Sequence, residues 1–129
     1  MDELAARFQA HVLADVRRLK ARGYHPTLYI AMIEQHGAVG AARRLLADPR
    51  HSSYGFEKLW EMGELARSIE FGVCLPWFEP LFEPDEVAEA RQRLILHDFP
   101  LDRQLSVATA RPPGWVVSGE WGRGGTRGG

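Results

Sequence analysis

The residues able to perform acid–base chemistry in this chain are few, and they lie apart in the sequence. His11 and Asp15 are four positions apart, so a helix would place them on one face, where such a pair can hold a metal ion or transfer a proton. A metal site needs a third ligand, and none lies near this pair in the sequence. We therefore expect an exposed helix pair rather than a site.

The candidate nucleophiles also favour structural roles. His51 precedes Ser52 and Ser53, but adjacent loop residues rarely align as base and nucleophile, so a turn or helix cap is expected. Cys74 lies between apolar neighbours and is expected to be a buried, inert thiol. Because it is the single cysteine, an intramolecular disulfide and a cysteine-based zinc site are excluded.

A row of carboxylates and a pair of glycines are the remaining candidates for chemistry. Glu57, Glu61 and Glu64 follow one helical side, where carboxylates can bind cations, but no His or Asp partner stands at ligand spacing and a solvated face is expected. Gly37 and Gly40 open a helix without the lysine and preceding strand of a phosphate-binding loop. The sequence therefore predicts no catalytic residue, no cofactor and no metal, in a protein that is not an enzyme.

Size and composition favour one globular domain. The chain has 129 residues, of which 45% are hydrophobic, and its formal net charge of −1 favours neither a polyanion nor a membrane surface as partner. No apolar run approaches the roughly 18 residues needed to span a bilayer. Because the N-terminus is acidic and lacks an apolar secretory core, we expect a cytoplasmic protein.

Apolar residues recur every three or four positions, which predicts an all-α fold: a compact bundle of five or six short helices with an extended C-terminal arm. Gly23 and Gly37 are expected to end the first two helices. Ser68 is expected to cap the fifth helix. The predicted helices are Asp2 to about Arg22, Pro26 to about His36, Val39 to Ala47, Gly55 to Met62, one starting near Ser68, and Pro84 to about His97.

The C-terminal quarter differs in character. We expect a helical domain over residues 1–97 and an extended arm over 98–129, with about 122–129 disordered because this end is rich in glycine. In an extended strand Trp115 and Trp121 would share one face. Two tryptophans are costly to leave in water, so they fold back on the helical domain or dock on another chain, and the sequence leaves both alternatives open.

Five segments follow the outline of a known domain. Tyr24 to Pro26 fits Tyr-x-Pro, His36 to Leu46 fits His-Gly-x-Val-x-Ala-Ala-x-x-Leu-Leu, and Ser53 to Gly63 fits Ser-x-Gly-Phe-x-x-Leu-Trp-Glu-x-Gly. Ser68 to Glu70 and Pro76 to Phe82 continue the pattern. In these motifs the chain resembles a small, largely uncharacterised bacterial helical domain that sometimes accompanies nuclease or genome-defence proteins. The resemblance implies a helical fold and an accessory role beside such proteins.

Our leading hypothesis is a non-enzymatic interaction or accessory module that binds a partner protein, or a second copy of itself, through an aromatic surface and the C-terminal arm. Aromatic side chains are frequent anchors in interfaces. The candidates are Trp77, Phe78, Phe82, Trp115 and Trp121.

Two alternatives remain. Basic side chains near two helix ends would give modest nucleic-acid affinity if they converged, although such charges also suit helix C-termini and solubility. The candidates are Arg17, Arg18, Arg43, Arg44 and Arg50. The second alternative, a small metal-dependent hydrolase, has the fewest residues in its favour.

Overall fold

The computed structural model describes residues 2–118, and of residues 49–54 the backbone only. The fold is all-α, with no strand in the part of the chain described. The helices are α1 (Glu3–Ala21), α2 (Thr27–Ala47), α3 (Pro49–Met62), α4 (Ile69–Cys74), α5 (Pro84–Leu96), α6 (Leu101–Ala110) and α7 (Gly114–Val117), with short 3-10 helices at Leu65–Arg67 and Pro76–Leu81. None of these helices is long and apolar enough to cross a membrane.

Helix α1 packs against α2, α4 and both 3-10 helices. The Asp2 carboxylate accepts hydrogen bonds from the backbone N–H of Leu4 at 3.0 Å and of Ala5 at 3.2 Å, which caps the helix start. Gly23 follows the helix end with a φ of +92°, a left-handed conformation that suits glycine. The predicted apolar stripe is confirmed, because the following side chains are all buried: Leu4, Phe8, Val12, Val16 and Leu19.

Helix α2 is kinked at Gly37, where the sequence predicts a break between two helices. Gly37 has φ +76° and ψ +166°, a backbone region open essentially to glycine alone. The Gln9 side chain of α1 accepts a hydrogen bond from the Ala38 N–H at 3.0 Å and so caps the second half of α2. The kink therefore also ties α2 to α1.

Helix α3 begins at Pro49, six residues before the predicted start at Gly55. Proline is favoured in the first turn of a helix, because its missing N–H would have no partner there. The glycine suggested a boundary but lies inside the helix. The predicted cap of α4 is confirmed: the Ser68 hydroxyl oxygen accepts a hydrogen bond from the Phe71 N–H at 3.1 Å.

The proline-bounded aromatic segment closes the core. Pro76–Leu81 forms a 3-10 helix, and its aromatic rings point inward. The Phe8 ring of α1 makes edge-to-face contacts with Phe78, at 5.0 Å between ring centroids, and with Phe82, at 5.2 Å. This cluster joins α1 to the segment that leads into α5.

The expected extended arm is wrong for most of the described residues after 98. Helix α6 forms because Leu101, Leu105 and Ala108 recur at helical spacing, and all three pack against the core. Pro112 and Pro113 lie between α6 and α7, since proline does not continue a helix interior. The predicted disorder of residues 122–129 and the role of Trp121 lie outside the described residues.

Candidate functional site

Three of the proposed aromatic anchors are core residues. Phe78 is 1% exposed, and Trp77 and Phe82 are each 7% exposed. The interpretation as an aromatic docking surface is therefore wrong for this segment, because its rings are already covered by α1 and neighbouring elements. A count of aromatic residues shows how much apolar area must be covered, but not whether the same chain covers it.

Trp115 folds back on the helical domain. It lies in α7 rather than in a strand, and its ring centroid is 5.8 Å from that of Phe78. The Arg7 guanidinium lies over the indole, with its central carbon 5.2 Å from the ring centroid, a cation–π contact. Of the two alternatives that the sequence left open, Trp115 therefore takes the first: it folds back on the helical domain and does not need another chain to cover it.

Two of the arginines proposed to bind nucleic acid, Arg43 and Arg18, contact different carboxylates of the chain. Arg43 donates a hydrogen bond to the Leu81 carbonyl at 2.7 Å, and its Nε lies 3.6 Å from a Glu86 carboxylate oxygen. Arg18 instead lies 4.0 Å from Glu64. Arg43 thus links α2 to the start of α5.

The three other candidate arginines differ in what is described of them. Arg17 and Arg44 are exposed. The side chain of Arg50 lies outside the described set.

His11 and Asp15 form a partly buried pair rather than the expected exposed one, with Asp15 buried and His11 partly exposed. The His11 Nε2 atom is 3.3 Å from one Asp15 carboxylate oxygen, and Arg67 Nη1 is 3.4 Å from the other. Burial raises the pKa of Asp15, although His11 and Arg67 oppose the shift. Burial lowers the pKa of His11 despite the nearby Asp15. Arg67 lies 52 residues from Asp15 in the sequence, so no local pattern predicts that the two side chains meet.

A second carboxylate lies next to this pair. Glu64 is buried, contrary to the predicted solvated face, and pairs closely with Arg22 Nη1. Arg67 Nε lies 3.8 Å from the same carboxylate. Glu57 and Glu61 are exposed, so the prediction holds for them. Across the described part of the chain, no group of three or more His, Cys, Asp or Glu side chains could hold a metal ion.

A third carboxylate is the most deeply buried of the three. Glu70 is 3% exposed, and its Oε2 lies 3.2 Å from Arg93 Nη1. Burial raises the pKa of Glu70, against the opposing effects of its backbone hydrogen bond and of Arg93. Arg93 also donates to the carbonyls of Leu45 and Leu46, each at 3.0 Å, at the end of α2. This network holds α2, α4 and α5 together.

One exposed apolar area lies where α3 and α5 end. Trp60 is 49% exposed, and its ring centroid is 5.7 Å from that of His97, which contacts the buried Phe56 at 4.7 Å. Ile95 and Leu96, 55% and 71% exposed, directly precede His97. We name Trp60 and His97, whose rings contact each other, the Trp60 surface. Sequence reasoning missed it, because the spacing of Phe56, Leu59 and Trp60 favours a single buried apolar face on α3.

The border of the Trp60 surface is acidic. A Glu57 carboxylate oxygen lies 3.7 Å from His97 Nε2, and Glu61 is exposed on the same helix. Asp98 follows His97 and is also exposed. An apolar area with an acidic border can bind another protein without chemical catalysis.

Comparisons of the chain with protein-family models, with curated proteins and with solved structures find no match. The resemblance to a bacterial helical domain therefore stays a prediction. The fold by itself defines an all-α protein.

Proposed function

We propose that the protein is a non-enzymatic interaction module that binds a partner protein through the Trp60 surface. The half-exposed Trp60 indole carries this proposal, because tryptophan is enriched among the residues that dominate interface energies. Leu96, which directly precedes His97 in the chain, is more exposed still, and burying either side chain on a partner would remove apolar area from water.

The surface is held in place before any partner arrives. His97 Nδ1 donates a hydrogen bond to the Arg93 carbonyl at 3.0 Å, and the His97 ring packs edge-on against both Phe56 and Trp60. A fixed anchor loses less conformational entropy on binding than a mobile one. The acidic border favours a partner that offers an apolar pocket with basic side chains around it.

The two alternatives have less support. Arg43 is engaged by the Leu81 carbonyl and Glu86, so its charge is partly satisfied within the chain. The same holds for Arg18 beside Glu64, which weakens the nucleic-acid hypothesis. For a hydrolase, the His11–Asp15 pair would need a nucleophile or a metal, and its nearest partner is the cation Arg67.

Comparative affinity capture tests the proposal. The full chain, its Trp60→Ala variant and a Val107→Ala variant would each be used as bait in extract from the native cells. Val107 is an exposed apolar side chain on α6 and so controls for general stickiness. We expect a protein that is retained by the wild type and by Val107→Ala but lost with Trp60→Ala.

Titration of the recovered protein would then measure the loss of affinity directly. Removal of a tryptophan anchor costs about 2 kcal/mol or more, which is roughly thirtyfold in Kd. Circular dichroism must show the same fold for all three baits. Identical sets of captured proteins for the three baits would contradict the proposal.

A further inference from the structure

A cavity of about 270 Å³ lies between the end of α1, the start of α2 and the inner face of α3. Its deep wall is apolar and includes the buried side chains of Leu19, Leu45 and Ile69. Its outer rim includes His25 and Leu28, which are exposed. The cavity is thus open on one side and closed by core residues on the other.

One buried carboxylate forms part of the apolar wall. Glu70 lines the cavity, and its charge is matched by the Arg93 guanidinium at 3.2 Å from Oε2. Tyr29 lines the same space, and burial raises the pKa of its hydroxyl well above the usual value, with the Glu70 carboxylate adding to the shift. The Tyr29 hydroxyl therefore keeps its proton. Polar groups in an otherwise apolar pocket commonly fix the orientation of a bound small molecule.

The size of the cavity limits what it can hold. An apolar cavity of about 150 Å³ can bind benzene, so the present one has room for a single ring with a short substituent. A ligand anion and a ligand ammonium group would each lose hydration without gaining a free counter-charge, because the Glu70 carboxylate in this wall is already paired with Arg93. An uncharged hydroxyl can donate to a carboxylate oxygen without either cost.

We propose that this cavity binds a small, uncharged, mostly apolar molecule, about the size of one substituted benzene ring, through a hydroxyl that donates a hydrogen bond toward Glu70. This activity goes beyond partner binding at the Trp60 surface. The apolar wall holds the ring of the ligand, and the ligand hydroxyl lies between Glu70 and Tyr29.

Gly55 offers a way to fill the cavity without strain. It lies inside α3 and lines the space, and a Cβ placed on it would meet nothing closer than the Tyr24 hydroxyl at 4.0 Å. A Gly55→Leu side chain has room to enter the cavity, and leucine favours the helix more than glycine does. Gly114 is the matched control, since it is also in a helix and a Cβ there meets nothing within 4 Å.

Nuclear magnetic resonance titration of the full chain with three related probes tests the proposal. Benzyl alcohol has the ring and the donor, toluene lacks the donor, and benzoate carries an anion. We expect benzyl alcohol to shift the amide signals of cavity residues, toluene to bind roughly threefold to tenfold more weakly, and benzoate to bind more weakly still. Gly55→Leu should weaken benzyl alcohol binding at least about tenfold, whereas Gly114→Leu should not change it.

If the Gly55→Leu variant fails to fold, contacts between benzyl alcohol and the wild-type protein still test the proposal. Nuclear Overhauser effects should connect the ring protons of benzyl alcohol to the methyl groups of Leu45 and Ile69. Their absence at saturating probe would overturn the proposal. Equal affinity for the three probes, or unchanged binding to a folded Gly55→Leu variant, would overturn it too.

Discussion

Replacing Arg93 by methionine would leave the buried Glu70 carboxylate without its counter-charge. Arg93 is mostly buried, and its guanidinium lies 3.2 Å from Glu70 Oε2. It also donates to the Leu45 and Leu46 carbonyls, which would both lose a partner. Removal of one member of a buried ion pair costs about 3–5 kcal/mol, because the other charge stays buried. We expect a loss of that size in the free energy of unfolding at pH 7.

The pH dependence of this loss separates charge from packing. Burial already raises the pKa of Glu70 in the folded state, and removal of Arg93 should raise it further. A carboxyl with a raised folded-state pKa binds its proton more tightly when folded, so its contribution to stability is present at low pH and is lost as pH rises through the folded-state pKa. The deficit of Arg93→Met should therefore shrink as pH falls from 7 toward 4.

Urea denaturation followed by circular dichroism at several pH values measures this deficit. Arg91→Met is the matched control on the same helix, because Arg91 pairs at 3.6 Å with the highly exposed Asp102 and such pairs contribute little. We expect no measurable change for it. A deficit for Arg93→Met below about 1 kcal/mol at pH 7, or one that is independent of pH, would refute the role assigned to this pair.

Two further predictions concern the kink and the thiol. Gly37→Ala should lower the free energy of unfolding by about 1–3 kcal/mol, because φ +76° with ψ +166° strains any residue that has a side chain. A Gly114→Ala variant should not lower it, since a Cβ at Gly114 meets nothing within 4 Å. Equal urea midpoints for the two variants would contradict the strain assigned to Gly37. Burial raises the pKa of the Cys74 thiol to about 12, so a thiol reagent at pH 8 should react at least about a hundredfold more slowly with the folded chain than with the chain in urea. Similar rates in both states would show that Cys74 is accessible.

Local rules predicted the parts of the fold that depend on neighbouring residues. Ser68 caps its helix as expected, since a cap needs only backbone N–H groups two or three positions away. The break at Gly37 is also local, because only glycine adopts that conformation without strain. The same rules failed at Gly55, where glycine lies in a helix interior and Pro49 marks the start.

The C-terminal region shows a different limit. Its many glycines and two adjacent prolines suggested an arm from residue 98 onward, but they follow rather than interrupt the stripe of Leu101, Leu105 and Ala108. Composition averaged over a segment hid a helix of ten residues within it. Trp115 then packs on Phe78, a contact that no local pattern indicates.

The candidate sites depend on contacts between distant parts of the chain, so the sequence could supply residues but not neighbours. Asp15 meets Arg67 across 52 positions, and Glu70 meets Arg93 across 23. Each of the three buried carboxylates in the described part of the chain lies beside a guanidinium, because an unpaired buried charge would cost more than the fold can offset. Pairing with a guanidinium therefore explains why these acidic residues lie in the core, and their burial needs no catalytic role to explain it. The places left for binding are those where apolar surface still meets solvent: the half-exposed Trp60, and the open cavity whose wall includes Leu19, Leu45 and Ile69.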